Sequence, residues 1–374
     1  AAALALSRDG HGVKIFERFE APHATGAGLL LQPTGLEALR EFGLYEKAVA
    51  YGARIDRLIG RTSAGRKVLD LHYGHKPDVF GLGIHRGALF SLLYEAVRAQ
   101  PVTFRLGRAI TAIDGEIDGF DLVVVTDGAH SKLRETIFPK ARAPLNRWAA
   151  LWTCVPDKER RFDGALWQVY RSCSKMIGVL PVGHDPDARN GDAQVAFFWS
   201  LKREDFSAWR AAPLDVFKRE VSALWPEAGA LIAHVGEHRL FAEATYRDVR
   251  LRRCHNGKAI FIGDAAHATS PQLGQGANLA MIDAIVLARA IRKSASIADA
   301  LRLYEHARRA HNGYYQVASR WLTPMFQSDS RVMGWLRDGF SYTMCHLPLT
   351  GWAMRQTLAG RLRLGFGLHK LDGE

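Results

Sequence analysis

The residues able to do chemistry concentrate in two neighbouring runs. The first is Gly263-Asp264-Ala265-Ala266-His267, and the second is Ser270-Pro271-Gln272-Leu273-Gly274-Gln275-Gly276-Ala277-Asn278. Asp264 can accept hydrogen bonds from sugar hydroxyls. Gly274 and Gly276 lack Cβ, so the backbone there can lie close against a planar ring. A helical pattern over 279–291 follows, and the free N–H groups at its start would stabilise a ring that gains negative charge. The apolar strand Ala259-Ile260-Phe261-Ile262 delivers the chain into the turn. Strand, acidic turn, glycine loop and helix make a site for a polyhydroxy, phosphate-bearing ligand with a flat ring.

Two further segments carry compatible chemistry. Residues 121–134 read as a buried strand, a polar turn and a helix start; the valine run at 123–125 suits a parallel strand covered on both faces. Asp127 in that turn can order the loop against a pyrophosphate, and Arg134 offers a guanidinium fork for phosphate. The run Val13-Lys14-Ile15-Phe16 reads as the second strand of a βαβ unit and ends at Glu17 and Arg18. A carboxylate there accepts hydrogen bonds from an adenosine ribose. Residues 1–10 read as the back half of the preceding helix, with Gly10 or Gly12 as its C-cap. The first strand and Gly-x-Gly-x-x-Gly turn of such a unit are missing from the sequence; they are expected to precede Ala1 in the natural protein, the alternative being a truncated protein.

The elements that must position these residues follow from periodicity. A Gly26-Ala27-Gly28 loop leads into a helical pattern with Leu36, Leu39 and Phe42. Residues 56–80 read as irregular, with strand-like runs around Leu58 and Val68. Arg86 stands just before a helix marked by Leu89, Phe90, Leu93, Ala96 and Val97. From about 145 to 250 the pattern turns antiparallel, with aromatic-rich strands at 148–155, 165–171, 176–181 and 194–201. The loop 184–192, with Pro186, Asn190 and Gly191, joins the last two. Alternation puts Val195, Phe197 and Trp199 on one face and Ala196, Phe198 and Ser200 on the other. Helices are expected at 213–225 and 298–321. The apolar residues of the tail (Phe326, Met333, Trp335, Leu336, Phe340, Met344, Leu347, Trp352) are expected mostly as core and packing surface, with an interfacial or partner-binding role as the less favoured alternative.

The chain resembles the single-component aromatic hydroxylases, the class A flavin monooxygenases that include para-hydroxybenzoate hydroxylase. Residues 263–278 are similar to the family's second FAD motif and 121–134 to its Asp-Gly motif. The resemblance implies an α/β fold. It has a Rossmann-like, glutathione-reductase-type FAD domain (1–55, 81–145 and 250–298), an inserted antiparallel substrate domain (56–80 and 146–249) and a C-terminal helical region (299–374). It implies that Glu17, Arg18, Arg86, Asp127, Asp264, Pro271, Gly274, Gln275, Gly276, Ala277 and Asn278 bind FAD, with Asp264 on the ribityl chain and 271–278 along the isoalloxazine. Without the first glycine turn, a preparation can lack FAD even where the enzyme uses it. The implied reaction uses NADPH or NADH and O2, and delivers oxygen from a C4a-hydroperoxyflavin to an aromatic or quinone-like ring. No motif identifies the catalytic residues; His85, His184, Tyr170 and Arg171 are candidates for a relay that ionises a phenol.

The same fold serves several activities. A flavin-dependent halogenase would carry Trp-x-Trp-x-Ile-Pro, where this chain has Leu151-Trp152-Thr153-Cys154-Val155-Pro156, with one tryptophan instead of two. An isoprenoid reductase and a non-catalytic FAD-fold binding protein would also use this architecture. Composition narrows the class. The net charge is +12, but the basic residues are spread and do not interleave with aromatics, so nucleic acid is not an expected partner. The basic surface instead suits anionic cofactors. The four cysteines, Cys154, Cys173, Cys254 and Cys345, lack metal-ligand spacing and are too few for a disulfide scaffold. No metal is expected. No apolar run approaches a membrane span. These features suit a cytoplasmic protein, and they are compatible with a homo-oligomer.

Overall fold

A computed structural model describes residues 1–22, 27–74, 78–184, 192–365, 367–369 and 371. Gly26 and most of the 184–192 loop, with Pro186, Asn190 and Gly191, lie outside the described residues. The largest element is a nine-stranded sheet. Its order is Ala242–Arg247, Leu145–Pro156, Ala193–Lys202, Lys175–His184, Gly164–Arg171, Ala53–Thr62, Gly81–His85, Gly28–Leu31, with Lys67–His72 paired to Ala53–Thr62. Among the described strands of this sheet, only Ala53–Thr62 and Gly164–Arg171 pair in parallel. Two small sheets complete the α/β part: Val13–Phe16 runs parallel to Val102–Arg105, and Ala259–Phe261 runs parallel to Val123–Val125. The mixed α/β architecture with C-terminal helices is therefore the one expected.

Several boundaries differ from the expected ones. Residues 56–72 are more ordered than expected: Ala53–Thr62 and Lys67–His72 pair antiparallel, with a register shift between Gly60 and Arg61. Gly28–Leu31 and Gly81–His85, expected with the cofactor-binding part, pair into the large sheet. The expected boundaries at 55/56 and 80/81 thus fall within one continuous hydrogen-bonded layer.

The two faces of that sheet have different partners. Val195, Phe197 and Trp199 pack against helices Phe206–Ala211, Leu214–Leu224 and Pro226–Ile232, in a core shared with Phe217, Val221 and Ile232. Each large side chain removed from water there contributes about 1.5–3 kcal/mol. Phe198 and Ala196 face the other way, with Tyr170, Leu180, Cys345 and Leu358. The second core wraps helix Gly276–Lys293, whose Met281, Ile282, Ile285 and Leu287 meet Leu36, Leu39 and Leu4.

The C-terminal helices Ile297–Phe326, Arg331–His346 and Pro348–Leu358 close the far side. Arg331–His346 turns Gly334, Arg337, Ser341 and Cys345 inward. Arg337 is fully buried and donates to Met325 O and Ser172 O at 3.0 Å each, with its guanidinium over the Tyr170 ring. The expectation that most of the tail's apolar residues form core and packing surface fails for Met333, Trp335, Phe340, Met344 and Leu347, which are exposed. Small residues and one satisfied arginine let this helix sit close to the sheet, so its large apolar side chains are displaced outward. No described helix is long and apolar enough to cross a membrane.

Candidate functional site

The strand Ala259–Phe261 ends at Gly263, whose φ of 59° and ψ of −143° demand glycine. This conformation lets the Gly263 N–H turn inward and donate to Asp283 Oδ2 at 2.9 Å, while the next residue, Asp264, stays exposed. Asp283 is a lone carboxylate in an otherwise apolar stretch of helix Gly276–Lys293. Its Oδ2 accepts from His267 Nε2 at 2.6 Å, and its Oδ1 accepts from Arg308 Nε at 2.8 Å. Burial works to raise this carboxyl, but the charges and hydrogen bonds of His267 and Arg308 outweigh it and hold it well below the usual carboxylate range. Arg308 also bonds His311 Nδ1, and His311 Nε2 donates to Gly360 O at 2.7 Å. Burial, then the Arg308 charge, pushes His311 well below its ordinary value, so it is a neutral link. This network was not anticipated. The signal for it was Asp283 itself, a single charge within Met281-Ile282-Asp283-Ala284-Ile285.

The loop after the turn is held just as firmly. Asn278 is fully buried; its Oδ1 accepts from Gln32 N at 2.9 Å, and its Nδ2 donates to Leu30 O and Gly274 O. Gln275 donates to Leu358 O at 2.9 Å and to Thr357 O at 3.2 Å. Gly274 takes the left-handed conformation at φ 60°.

These elements border one cleft with a volume of about 2220 Å³. It runs between the two small sheets, past the 263–276 turn and loop, to the inner face of the large sheet. Ten of the eleven anticipated ligand residues line it: Glu17, Arg18, Arg86, Asp127, Asp264, Pro271, Gly274, Gln275, Gly276 and Ala277. The eleventh, Asn278, is not among the lining residues; it braces the loop from behind. Glu17 Oε1 accepts from Phe19 N at 3.0 Å, which fixes the strand end. Asp127 Oδ2 accepts from Ser131 Oγ at 2.8 Å, and Ser131 in turn caps helix Lys132–Ile137.

The remaining candidates are placed differently. Arg134 is not an open phosphate fork. It is buried and donates to Ala265 O at 2.9 Å and Ala129 O at 2.7 Å, tying the Asp127 turn to the Asp264 turn. None of His85, His184, Tyr170 or Arg171 lines the cleft. Tyr170 is fully buried and donates to Gln168 Oε1 at 2.6 Å, and Arg171 lies near Glu220 on the surface. Residues not anticipated also line it, Gln32, Trp152, Gln168 and Tyr246, together with Gln272 of the 271–278 loop and Phe198 from one of the two strand faces left open.

Two features test whether a flavin dinucleotide fits these residues. Gln32 is 1% exposed, and its Oε1 accepts from Tyr73 OH at 2.5 Å, yet its Nε2 has no hydrogen-bond partner among the described residues. That buried donor would lie 3.6 Å from a Cβ placed on Gly274. A Cβ on Gly276 would meet only Asp264 Oδ1, also at 3.6 Å, so this glycine borders open cleft. A flat ring with polar edges on the 271–276 loop would satisfy the donor and use the glycine surface. The residues fit the group.

Comparison with known proteins agrees. Residues 1–313 match the family model described as FAD binding domain. A probable 2-heptyl-3-hydroxy-4(1H)-quinolone synthase of Rhodococcus erythropolis is 27% identical over 82% of this chain and 80% of its own length. An FAD-dependent urate hydroxylase of Klebsiella oxytoca is 27% identical over 82% of each chain. In fold, the chain is similar to the crystal structure of Klebsiella pneumoniae HpxO complexed with FAD and uric acid. The TM-score is 0.76 at 21% identity, covering 96% of this chain and 93% of that one.

Proposed function

The chain belongs to the FAD binding domain family, and on that premise we propose that it hydroxylates an aromatic or quinone-like small molecule, with NAD(P)H as reductant and O2 as oxygen source. It is an FAD-dependent monooxygenase. The observation that carries the finer reading is the continuous cleft that joins the acidic turn and glycine loop to the inner sheet face. Bound FAD would supply the redox chemistry that activates O2 for transfer of one oxygen atom to the ring.

The protein's own residues bind, orient and exclude water. Glu17 is suited to a ribose, Asp264 to the ribityl hydroxyls, and Arg18 and Arg86 to phosphate charge. The N-terminus of Gly276–Lys293 favours negative charge on a ring beside it, and Gln32 offers a buried donor to that ring. Trp152, Phe198 and Met176 line the substrate side with apolar surface that keeps bulk water away.

The test supplies NAD(P)H, labelled O2 and a panel of phenols, quinolones and polycyclic aromatics, with and without halide. One labelled oxygen in the product without halide is the expected result. Product that forms only with halide would instead favour a halogenase, and failure of NAD(P)H to reduce bound FAD would count against the reaction. Asp264→Ala should weaken FAD binding roughly 10- to 100-fold, because hydrogen bonds to a charged group contribute about 1.5–3 kcal/mol. Titration of the released and re-added cofactor checks this, and unchanged affinity would remove Asp264 from the site.

A further inference from the structure

The cleft walls differ in charge. Among the described residues, its lysines and arginines are Lys14, Arg18, Arg86, Arg108 and Lys132, and all come from the segments assigned to the cofactor. The wall built by the large sheet and the C-terminal helices has, among the described residues, no lysine, arginine or histidine. Its one acid there, Glu243, is already paired with Arg210 at 2.5 Å. Resting on the monooxygenase reading, we propose that the substrate is an uncharged aromatic ring with an apolar substituent and a carbonyl or ring-nitrogen acceptor, and not a carboxylate or phosphate.

Two neutral donors and an apolar lining support this class. Tyr170 OH donates to Gln168 Oε1, which leaves the Gln168 amide N–H groups to donate into the cleft. Trp152 Nε1 donates to the Tyr246 hydroxyl oxygen at 3.1 Å, which leaves the phenolic hydrogen for a ligand. Burial pushes Tyr246 up to about 12 against the pull of the Trp152 bond, so this hydrogen is retained at working pH. Around these donors stand Leu58, Leu166, Met176, Phe198 and Met354, able to cover an alkyl chain or fused ring. A carboxylate entering this wall would lose its hydration and meet no counter-charge.

Equilibrium binding to the FAD-loaded protein, read from the flavin spectrum, tests the class with 2-methylnaphthalene as a control without an acceptor and with three quinolone probes: 2-heptyl-4-quinolone, 4-quinolone and 4-quinolone-2-carboxylate. The expected affinities fall in that order, with the carboxylate at least about 30-fold weaker than 4-quinolone because its charge is desolvated unpaired. Leu166→Arg should tighten the carboxylate by about 10-fold or more by supplying the missing charge. Tyr246→Phe, a change that keeps the ring packing, should weaken 4-quinolone about 5- to 10-fold through the lost hydrogen bond and leave 2-methylnaphthalene unaffected. Wild-type protein that binds the carboxylate as tightly as 4-quinolone, or equal losses for both neutral rings in Tyr246→Phe, would overturn the proposal. Binding is read without turnover, so such a result would leave FAD reduction by NAD(P)H as a separate test of the reaction.

Discussion

Gly276→Val is expected to fold normally and to lose FAD binding by at least about 100-fold, since a branched side chain would occupy the surface on which the ring must lie. The backbone permits the change. Gly276 is the first residue of helix Gly276–Lys293, outside the left-handed region, and a Cβ there has only Asp264 Oδ1 near it, at 3.6 Å. Valine is no worse a helix residue than glycine, so the unfolding midpoint of the cofactor-free protein should move by no more than a few degrees. The γ-methyls would project into the cleft. Gly178 provides the contrast: a Cβ there would stand 1.8 Å from the Phe198 ring, so its substitution would disturb the sheet itself. Circular dichroism and thermal melts of the two cofactor-free proteins, with FAD titration, separate site from fold. A folded Gly276→Val protein with wild-type FAD affinity and flavin spectrum would show that the ring lies elsewhere.

What the sequence made legible was local. The Ala259–Asn278 segment announces strand, turn, loop and helix within a short stretch, and its glycines and Asp264 stand where that order requires. Less legible were partners brought together from afar. Asn278 belongs to the motif, yet its side chain is spent on Leu30 and Gln32, 248 and 246 positions away. Arg134 sits near a phosphate-type turn, but two backbone carbonyls take its guanidinium. Strand alternation separated Phe197 from Phe198 correctly but could not say which faces the cleft. That was decided by the helices of 206–232, which cover the Phe197 side. The tail misled because a run rich in large apolar residues suggests core and packing surface, while the inward positions of Arg331–His346 are Gly334, Arg337, Ser341 and Cys345.

Asp283→Asn is expected to destabilise the protein by roughly 3–5 kcal/mol, the range for breaking a buried ion pair from one side. Arg308 is 2% exposed and would keep its charge with the counter-charge gone. The asparagine oxygen could still accept one hydrogen bond, but its NH2 would face a donor from His267, Arg308 or Gly263. The effect should reach the cleft. Gly263 loses the anchor that turns its N–H inward, and Asp264 follows it directly, so FAD affinity should fall even in the folded fraction. The pH dependence has a definite sign. The folded-state carboxyl lies below its ordinary 3.8, so its stabilisation is present above that value and is lost as the pH falls through and below it. His311, depressed from its ordinary 6.5, adds a loss that begins at higher pH, as solution pH drops below 6.5. Wild type should therefore lose stability in both windows on acidification. Asp283→Asn should keep the upper loss and flatten the lower one, beginning from a much lower plateau. Urea unfolding from mildly alkaline to acidic pH, spanning both windows, would measure this; parallel acid limbs for the two proteins would mean that the Asp283 carboxylate is not what ties the turn to the long helix.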